Sequence, residues 1–99
     1  PKDTLYAATR AGALALGLYD SGLIKQGYKA DLCVANLDMP NMWPGHNALY
    51  DLVFSSNLTN VLMTICNGEV LYNEGEFSFM DVDKIRNEQK KIVDRILGR

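Results

Sequence analysis

Side chains that could carry catalysis or bind a metal are few in this chain, and they are scattered along it. His46 is the only histidine among the 99 residues, although histidine is the commonest metal ligand and the usual proton carrier near neutral pH. No second histidine completes a metal-binding pattern such as H-x-H or H-E-x-x-H. Because His46 lies in a segment bounded by proline and glycine, we interpret it as a loop or helix-start residue rather than as a ligand or a catalytic group.

Three aspartates occupy positions where a carboxylate could act, namely Asp31, Asp81 and Asp83. Asp31 precedes an apolar run, where it could serve as a general base or accept backbone N–H bonds at the entry to a strand, and we favour the second role. Asp81 and Asp83 are two residues apart, so on a helix they point to different sides. We therefore expect them to stabilise a helix start rather than to share a proton.

Both cysteines, Cys33 and Cys66, lie in apolar runs typical of strands. They do not make a disulfide framework, and without a C-x-x-C pair they cannot supply the four ligands of a structural zinc site. We predict two buried free thiols in a reducing compartment, with a disulfide between neighbouring strands as the alternative.

The remaining polar and aromatic motifs are weaker. Met42-Trp43-Pro44 is an apolar cluster in a loop-like segment; it could line a ligand pocket or anchor the loop onto the core, and we favour the anchor. Asn57-Leu58-Thr59 matches the glycosylation acceptor pattern, but nothing else indicates secretion. The glycines form no phosphate-binding motif, and no G-x-S-x-G surrounds Ser55 or Ser56.

Composition and charge limit the class of protein. The length suggests one domain, and the net charge of −2 gives no basic footprint for nucleic acid. No apolar run approaches the roughly 18 residues of a membrane span, and no signal peptide is visible. We expect a cytoplasmic protein that binds neither nucleic acid nor membrane.

The elements that must position these residues are predicted as α+β. Helical spacing of apolar residues predicts a helix over Asp3–Leu16, ended by Gly17 in the left-handed conformation. A second long helix starts after Met80, with Asp81 as its cap. Its apolar stripe consists of Val82, Ile85, Ile92, Val93 and Ile96.

Short strands and turns fill the middle of the chain. Asn67-Gly68 is the strongest turn signal, because both central residues of a type I′ hairpin turn need positive φ. Gly27 marks another turn, and residues 46–55 could form a short helix with Leu49, Leu52 and Val53 on one side. The predicted strands are Leu23–Lys25, Asp31–Leu37, Val61–Cys66, Glu69–Tyr72 and Glu76–Phe79.

The order of these motifs resembles the C-terminal end of the amidohydrolase superfamily of metal-dependent hydrolases. The shared features are the small-residue helix over Thr9–Gly17, the G-x-I-x-x-G-x-x-A-D-L run over Gly22–Leu32, and the hairpin turn at Asn67-Gly68. The branch containing methylthioadenosine/S-adenosylhomocysteine deaminases and chlorohydrolase-like enzymes looks nearest. The features that point there are Asn36-Leu37-Asp38-Met39-Pro40, Trp43-Pro44, His46-Asn47 and Leu52-Val53-Phe54-Ser55.

The resemblance implies a fold and a division of the chain. In that superfamily a (β/α)₈ barrel binds the metal through histidines and an aspartate, and a small β-sandwich packs beside it. Residues 1–20 would be the last barrel helix and a connector, residues 21–79 would supply sandwich strands with a Pro/Gly loop and a short helix, and residues 80–99 would be the C-terminal helix. The metal-binding residues of the family match no position here, so we assign no catalytic, cofactor-binding or metal residue.

The resemblance also implies a function for a larger parent. That enzyme would use a divalent metal, zinc or another, to activate water for hydrolysis of C–N bonds, in a deamination of a purine or triazine-like substrate. We expect the chain itself to be an inactive fragment whose partner is the barrel. It should self-associate, because the helix face of Leu5, Ala8, Gly12 and Ala15 would lack the sheet that covers it. The alternative is a stand-alone binding module that uses the Trp43 loop or a sheet edge.

Overall fold

The computed structural model describes residues 1–99, and its mixture of helices and one small antiparallel sheet confirms the predicted α+β class. The helices are α1 (Lys2–Tyr6), α2 (Gly12–Ala15), α3 (Ala48–Phe54) and α4 (Val82–Ile96). The strands are β1 (Leu32–Ala35), β2 (Val61–Cys66), β3 (Glu69–Asn73) and β4 (Glu76–Phe77). Two 3₁₀ turns cover Pro40–Met42 and Leu58–Asn60.

The first predicted helix forms, but it contains a wider turn in its middle. A π-helical segment, Ala7–Ala11, joins α1 to α2, and the three together are called the N-terminal helix. The hydroxyl of Thr9 donates to the carbonyl of Leu5 at 2.8 Å, a bond that competes with regular helical pairing. Gly12 accommodates the wider turn, since a Cβ there would lie 3.0 Å from the carbonyl oxygen of Ala7.

The end of this helix is the predicted left-handed glycine. Gly17 has φ +76°, and the amide of Leu18 donates to the carbonyl of Ala13 at 2.8 Å. The amide of Gly17 donates to the carbonyl of Leu14 at 3.0 Å. These two bonds make the Schellman motif, which satisfies carbonyls that the helix itself leaves free.

The sheet is an antiparallel meander in the order β1-β2-β3-β4. Asn67 and Gly68 have φ values of 49° and 80° between β2 and β3, so the type I′ hairpin prediction is confirmed. Glu74 and Gly75, with φ values of 47° and 91°, make a similar turn between β3 and β4. The sheet therefore depends on two tight turns for its register.

Three strand predictions need correction, one of them because β4 ends at Phe77 rather than at Phe79. The segment Leu23–Lys25 forms no strand. A strand needs a hydrogen-bonded neighbour, and β1 is an edge strand whose one partner is β2. The predicted strand Asp31–Leu37 is shortened to β1, since the amide of Asn36 bonds instead to the carbonyl of Asn60 at 2.6 Å. The turn at Gly27 is as expected, with φ +86°.

Very little of the molecule is buried. Four of the 99 residues lie in the interior, and among them Met42 and Asn60 are each 1% exposed. The accessible surface is 7900 Å², whereas a compact monomer of this mass exposes about 5,600 Å². The radius of gyration is 17.8 Å, against about 13 Å for a compact domain of 100 residues. Large apolar faces therefore remain on the surface.

None of the helices combines the length and the apolarity that crossing a bilayer requires.

Candidate functional site

The largest apolar concavity lies between the N-terminal helix, the connector that follows it, and β1. This N-terminal cavity has a volume of about 600 Å³, and 11 of its 16 lining residues are hydrophobic. Several of its apolar side chains face solvent, and Leu16 and Ile24 are 78% and 92% exposed. The cavity is thus an open apolar surface rather than an enclosed ligand chamber.

The connector is locked against the N-terminal helix by a close approach at Gly22. Its φ is +84°, and a Cβ there would lie 2.8 Å from the Cα of Arg10 and 2.9 Å from the carbonyl oxygen of Thr9. The guanidinium of Arg10 donates to the carbonyls of Tyr19 and Ser21, at 2.9 and 2.7 Å. Glycine is therefore the residue that this contact admits, and Arg10 holds the stretch of connector that leads into it.

Asp31 connects the wall of the cavity to the hairpin. Its carboxylate accepts the backbone N–H of Asn67 at 2.7 Å and the hydroxyl of Ser21 at 3.2 Å. The amide of Gly68 also donates to the carbonyl of Ala30, at 3.0 Å. The prediction that Asp31 accepts backbone N–H bonds is confirmed, although the donor comes from a turn distant in sequence.

Asn60 organises the long segment between β1 and β2, a role that was not predicted from the sequence. Its amide oxygen accepts the backbone N–H of Asn57 at 2.9 Å and the side-chain amide of Asn41 at 2.7 Å. Its amide nitrogen donates to the carbonyl of Asn36 at 3.0 Å. The signal that could have found it is the Asn57-x-x-Asn60 spacing, which makes a capping box at the start of a 3₁₀ turn.

The predicted loop anchor is correct for Met42 and wrong for Trp43. Met42 is 1% exposed, whereas Trp43 is 60% exposed. The indole N–H of Trp43 donates to the carboxylate of Asp38 at 3.2 Å, so the ring is held at the surface by a polar bond. The smaller and more flexible side chain of Met42 is the one that is buried.

His46 lies in a bend and is exposed, as expected for a loop residue. The helix α3 begins after it, where the side chain of Asn47 accepts the amides of Leu49 and Tyr50 at 3.0 and 3.2 Å. His46 therefore neither caps the helix nor lies in the N-terminal cavity.

The cysteines are free thiols, but the prediction that they are buried is wrong. Cys33 and Cys66 are both exposed, because nothing in this chain covers the sheet face that carries them. Asp81 caps α4 as predicted, accepting the amide of Lys84 at 3.1 Å. Asp83 lies in the first turn, 3.8 Å from the guanidinium of Arg86, with both side chains well exposed.

The donor side chains do not fit a catalytic metal. No group of three or more His, Cys, Asp or Glu side chains is placed to hold an ion, and a catalytic zinc needs three protein ligands. What the arrangement offers is an open apolar surface with a rigid polar frame behind it.

The chain is similar to known enzymes over most of its length. The pattern described as the amidohydrolase family matches residues 1–71. The 5-methylthioadenosine/S-adenosylhomocysteine deaminase of Dictyoglomus turgidum is 40% identical over 99 residues, which are 99% of this chain and 23% of that protein. The deaminase of the same name from Pelotomaculum thermopropionicum is 37% identical over 97 residues, covering 98% of this chain and 22% of that protein. The chain thus spans less than a quarter of the length of these relatives.

Solved structures show the same fold. An adenosine deaminase from Xanthomonas campestris with bound zinc matches at a TM-score of 0.87 and 31% identity, over 97% of this chain and 22% of that chain. An atrazine chlorohydrolase from Arthrobacter aurescens TC1 complexed with zinc matches in fold at a TM-score of 0.82 and 24% identity, over 93% and 20%. Because the family pattern matches residues 1–71, well over half of the chain, the chain is a member of the amidohydrolase family.

Proposed function

We propose that this chain is the C-terminal part of a metal-dependent amidohydrolase and that its role is to pack against and complete the catalytic barrel. The observation that carries this proposal is the open N-terminal cavity, whose apolar side chains face water in a chain with almost no interior. Burial of such a surface contributes about 25 cal/mol per Å². A barrel that covers it supplies the missing core.

The proposed architecture follows the division of the chain made above. Residues 1–20 are the last barrel helix and connector, residues 21–79 contribute to a small β-sandwich, and residues 80–99 form the C-terminal helix. The open edge of β1 supports the sandwich, because strands supplied by the rest of the enzyme would pair there.

The proposed activity of the whole enzyme is hydrolysis of a C–N bond, with deamination of an adenosine-type purine as the first choice. The support comes from the deaminase relatives, at 40% and 37% identity. A divalent metal, zinc first, would be held by residues outside this chain, as the solved relatives with zinc suggest. The two free thiols favour a reducing cytoplasmic location.

The test begins with the coding DNA on both sides of the Pro1 codon. We expect an open reading frame that continues upstream and encodes a His-x-His. The protein from that frame should bind zinc stoichiometrically and release ammonia from 5′-methylthioadenosine, S-adenosylhomocysteine or adenosine, with a chlorotriazine assayed in parallel.

The 99-residue chain is the matched control, and it should bind no stoichiometric zinc and release no ammonia. Turnover by this chain alone would refute the proposal. A stop codon shortly upstream would instead favour the stand-alone module, as would a long reading frame without metal-binding histidines.

A further inference from the structure

The hairpin turn between β2 and β3 is the one place in the chain where an asparagine is followed by a glycine. Asn67 and Gly68 are both exposed to solvent. A Cβ added to Gly68 would meet nothing within 4 Å, so the space beside this residue is open. The turn therefore places an exposed side-chain amide next to a residue that has no side chain to crowd it.

An asparagine followed by a glycine can be converted to an aspartate without an enzyme. The backbone nitrogen of the glycine attacks Cγ of the asparagine and forms an N–C bond. The bond between Cγ and the side-chain nitrogen breaks, and ammonia leaves with the proton of the glycine nitrogen. Water then opens the five-membered imide at either carbonyl, which gives aspartate or isoaspartate. Glycine favours the attack because it has no Cβ beside the nitrogen.

The fold holds both backbone amides of this turn. The N–H of Asn67 donates to the carboxylate of Asp31 at 2.7 Å, and the N–H of Gly68 donates to the carbonyl of Ala30 at 3.0 Å. The second bond occupies the proton that Gly68 must lose before its nitrogen can attack. The negative charge of Asp31 also disfavours the anionic nitrogen that forms when this proton leaves. The attack therefore requires the turn to open.

The backbone conformation of the turn opposes the reaction as well. Asn67 and Gly68 have φ values of 49° and 80°, which are those of a type I′ turn. Such a turn holds ψ of its first central residue near about +30°, and this angle directs the next nitrogen away from Cβ. In the imide ring the same nitrogen lies close to the plane of Cα, Cβ and Cγ. The asparagine must therefore leave the turn conformation before the ring can close.

Asp31 is itself held in place by the connector. Its second carboxylate oxygen accepts the hydroxyl of Ser21 at 3.2 Å, and Ser21 is only 4% exposed. The guanidinium of Arg10 donates to the carbonyl of Ser21 at 2.7 Å. All of these contacts lie within the 99 residues, so the state of the turn does not depend on what covers the apolar faces of the chain.

We propose that Asn67 is a deamidation site that the folded hairpin closes and that opening of the hairpin exposes. While Asp31 and Ala30 hold the turn, the reaction is slow. Isoaspartate adds a carbon to the backbone path, so the two-residue turn and its bonds to Asp31 and Ala30 are lost in that product. Because the step is irreversible, it removes chains from the folding equilibrium. Deamidation at Asn67 therefore records the time that a chain spends with its hairpin open.

The test follows the mass of the 99-residue chain during incubation in mildly alkaline buffer. Each deamidation adds about 1 Da, and tandem mass spectrometry assigns it to Asn67. A synthetic peptide of residues 64–71 gives the rate of the open turn. We expect the unchanged chain to react at least about tenfold more slowly than the peptide, since local opening limits the reaction. Asp31→Ala should recover most of that difference.

The matched control is Asp81→Ala, which removes the same charge and another carboxylate that accepts a backbone N–H, that of Lys84 at 3.1 Å. It should leave the rate at Asn67 unchanged, because Asp81 caps α4 and does not contact the hairpin. Asp31→Asn keeps the shape of the side chain and an acceptor oxygen, so it should fold and react at an intermediate rate. If circular dichroism shows that Asp31→Ala is unfolded, Asp31→Asn decides the test.

Three results would overturn the proposal. An unchanged chain that deamidates as fast as the peptide would mean that the hairpin does not close the site. The rate of the unchanged chain in both Asp31 variants would mean that this carboxylate does not hold the turn. Equal acceleration by Asp31→Ala and Asp81→Ala would assign the effect to lost charge or general destabilisation rather than to the turn.

Discussion

The loop segment between Asn36 and Asn60 and the helix α4 use their side chains in opposite ways. The loop segment has little regular structure, yet it contains the two most buried residues, Met42 and Asn60. Its polar groups are paired within the segment. Helix α4 is fully regular and has no buried residue at all. Regular secondary structure and burial are therefore separated in this molecule.

The two regions differ in how much of their surface the chain itself satisfies. The Asn60 segment satisfies its own polar groups, and a satisfied buried network gives order without a large core. Helix α4 has its capping residue and the N-terminal helix has its Schellman motif, so both helices end as their sequences predict. Their apolar faces are nevertheless uncovered. Substitutions in the self-contained parts should therefore cost stability, and those on the uncovered faces should not.

The largest effect is expected at the Gly22 contact. Gly22→Ala combines a left-handed φ with a clash against the backbone of Arg10, and we expect a loss of about 4 kcal/mol in the free energy of unfolding. Gly27→Ala has the same sign of φ, with nothing within 4 Å of the added Cβ, and should cost about 1 kcal/mol. Urea unfolding of both variants gives the difference. Equal losses would mean that the close approach contributes nothing.

Asn60 tests the self-contained segment directly. Asn60→Ala leaves the amide of Asn57 and the carbonyl of Asn36 without their partner, and we expect a loss of about 3 kcal/mol. Asn87→Ala, on the exposed face of α4, should change stability by less than about 0.5 kcal/mol. Thermal and urea melts measure both. Equal losses of unfolding free energy for the two substitutions would mean that the Asn60 segment contributes no more to stability than helix α4 does.

The hairpin turn gives an intermediate effect. Asn67→Pro is incompatible with the φ of 49° at this position, and it also removes the N–H that Asp31 accepts. We expect a loss on the order of 2–3 kcal/mol. Asn67→Asp keeps both features and should lie close to the native protein. Equal melting temperatures for the two variants would contradict the type I′ turn.

The smallest effect is expected on the uncovered face of the N-terminal cavity. Ile24 is 92% exposed, so Ile24→Ser should change the unfolding free energy of the 99-residue chain by less than about 0.5 kcal/mol. Urea unfolding at one protein concentration measures it. A loss above about 1 kcal/mol would show that this face is already packed in the isolated chain.

Local signals in the sequence were sufficient for the turns and the helix ends. The hairpin at Asn67-Gly68, the left-handed Gly17 and the cap at Asp81 each depend on residues within a few positions of one another. The role of Asp31 was also predicted from its place before a strand, although its donor at Asn67 could not be. Short-range conformational preferences determine these features, so the sequence alone contains them.

Features that depend on distant contacts were missed or wrong. The strand Leu23–Lys25 and the burial of Cys33 and Cys66 were inferred from apolar runs, but a run does not say whether a partner is present. Trp43 was expected to anchor its loop because it lies in an apolar Met-Trp-Pro cluster, but its indole bonds to Asp38 and it is 60% exposed. The π-helical segment Ala7–Ala11 was also missed, because helical periodicity cannot distinguish it from a regular helix.

The absence of lysine and arginine between Lys29 and Lys84 also determines how the chain divides under digestion. Trypsin cuts after lysine and arginine, and proteases prefer exposed, weakly packed segments. The uncovered helix α4 contains five of the ten basic residues, whereas the whole sheet and the Asn60 segment contain none. Brief treatment with trypsin therefore yields the sheet with its self-contained loop as one piece, residues 30–84, separated from both helical ends of the molecule.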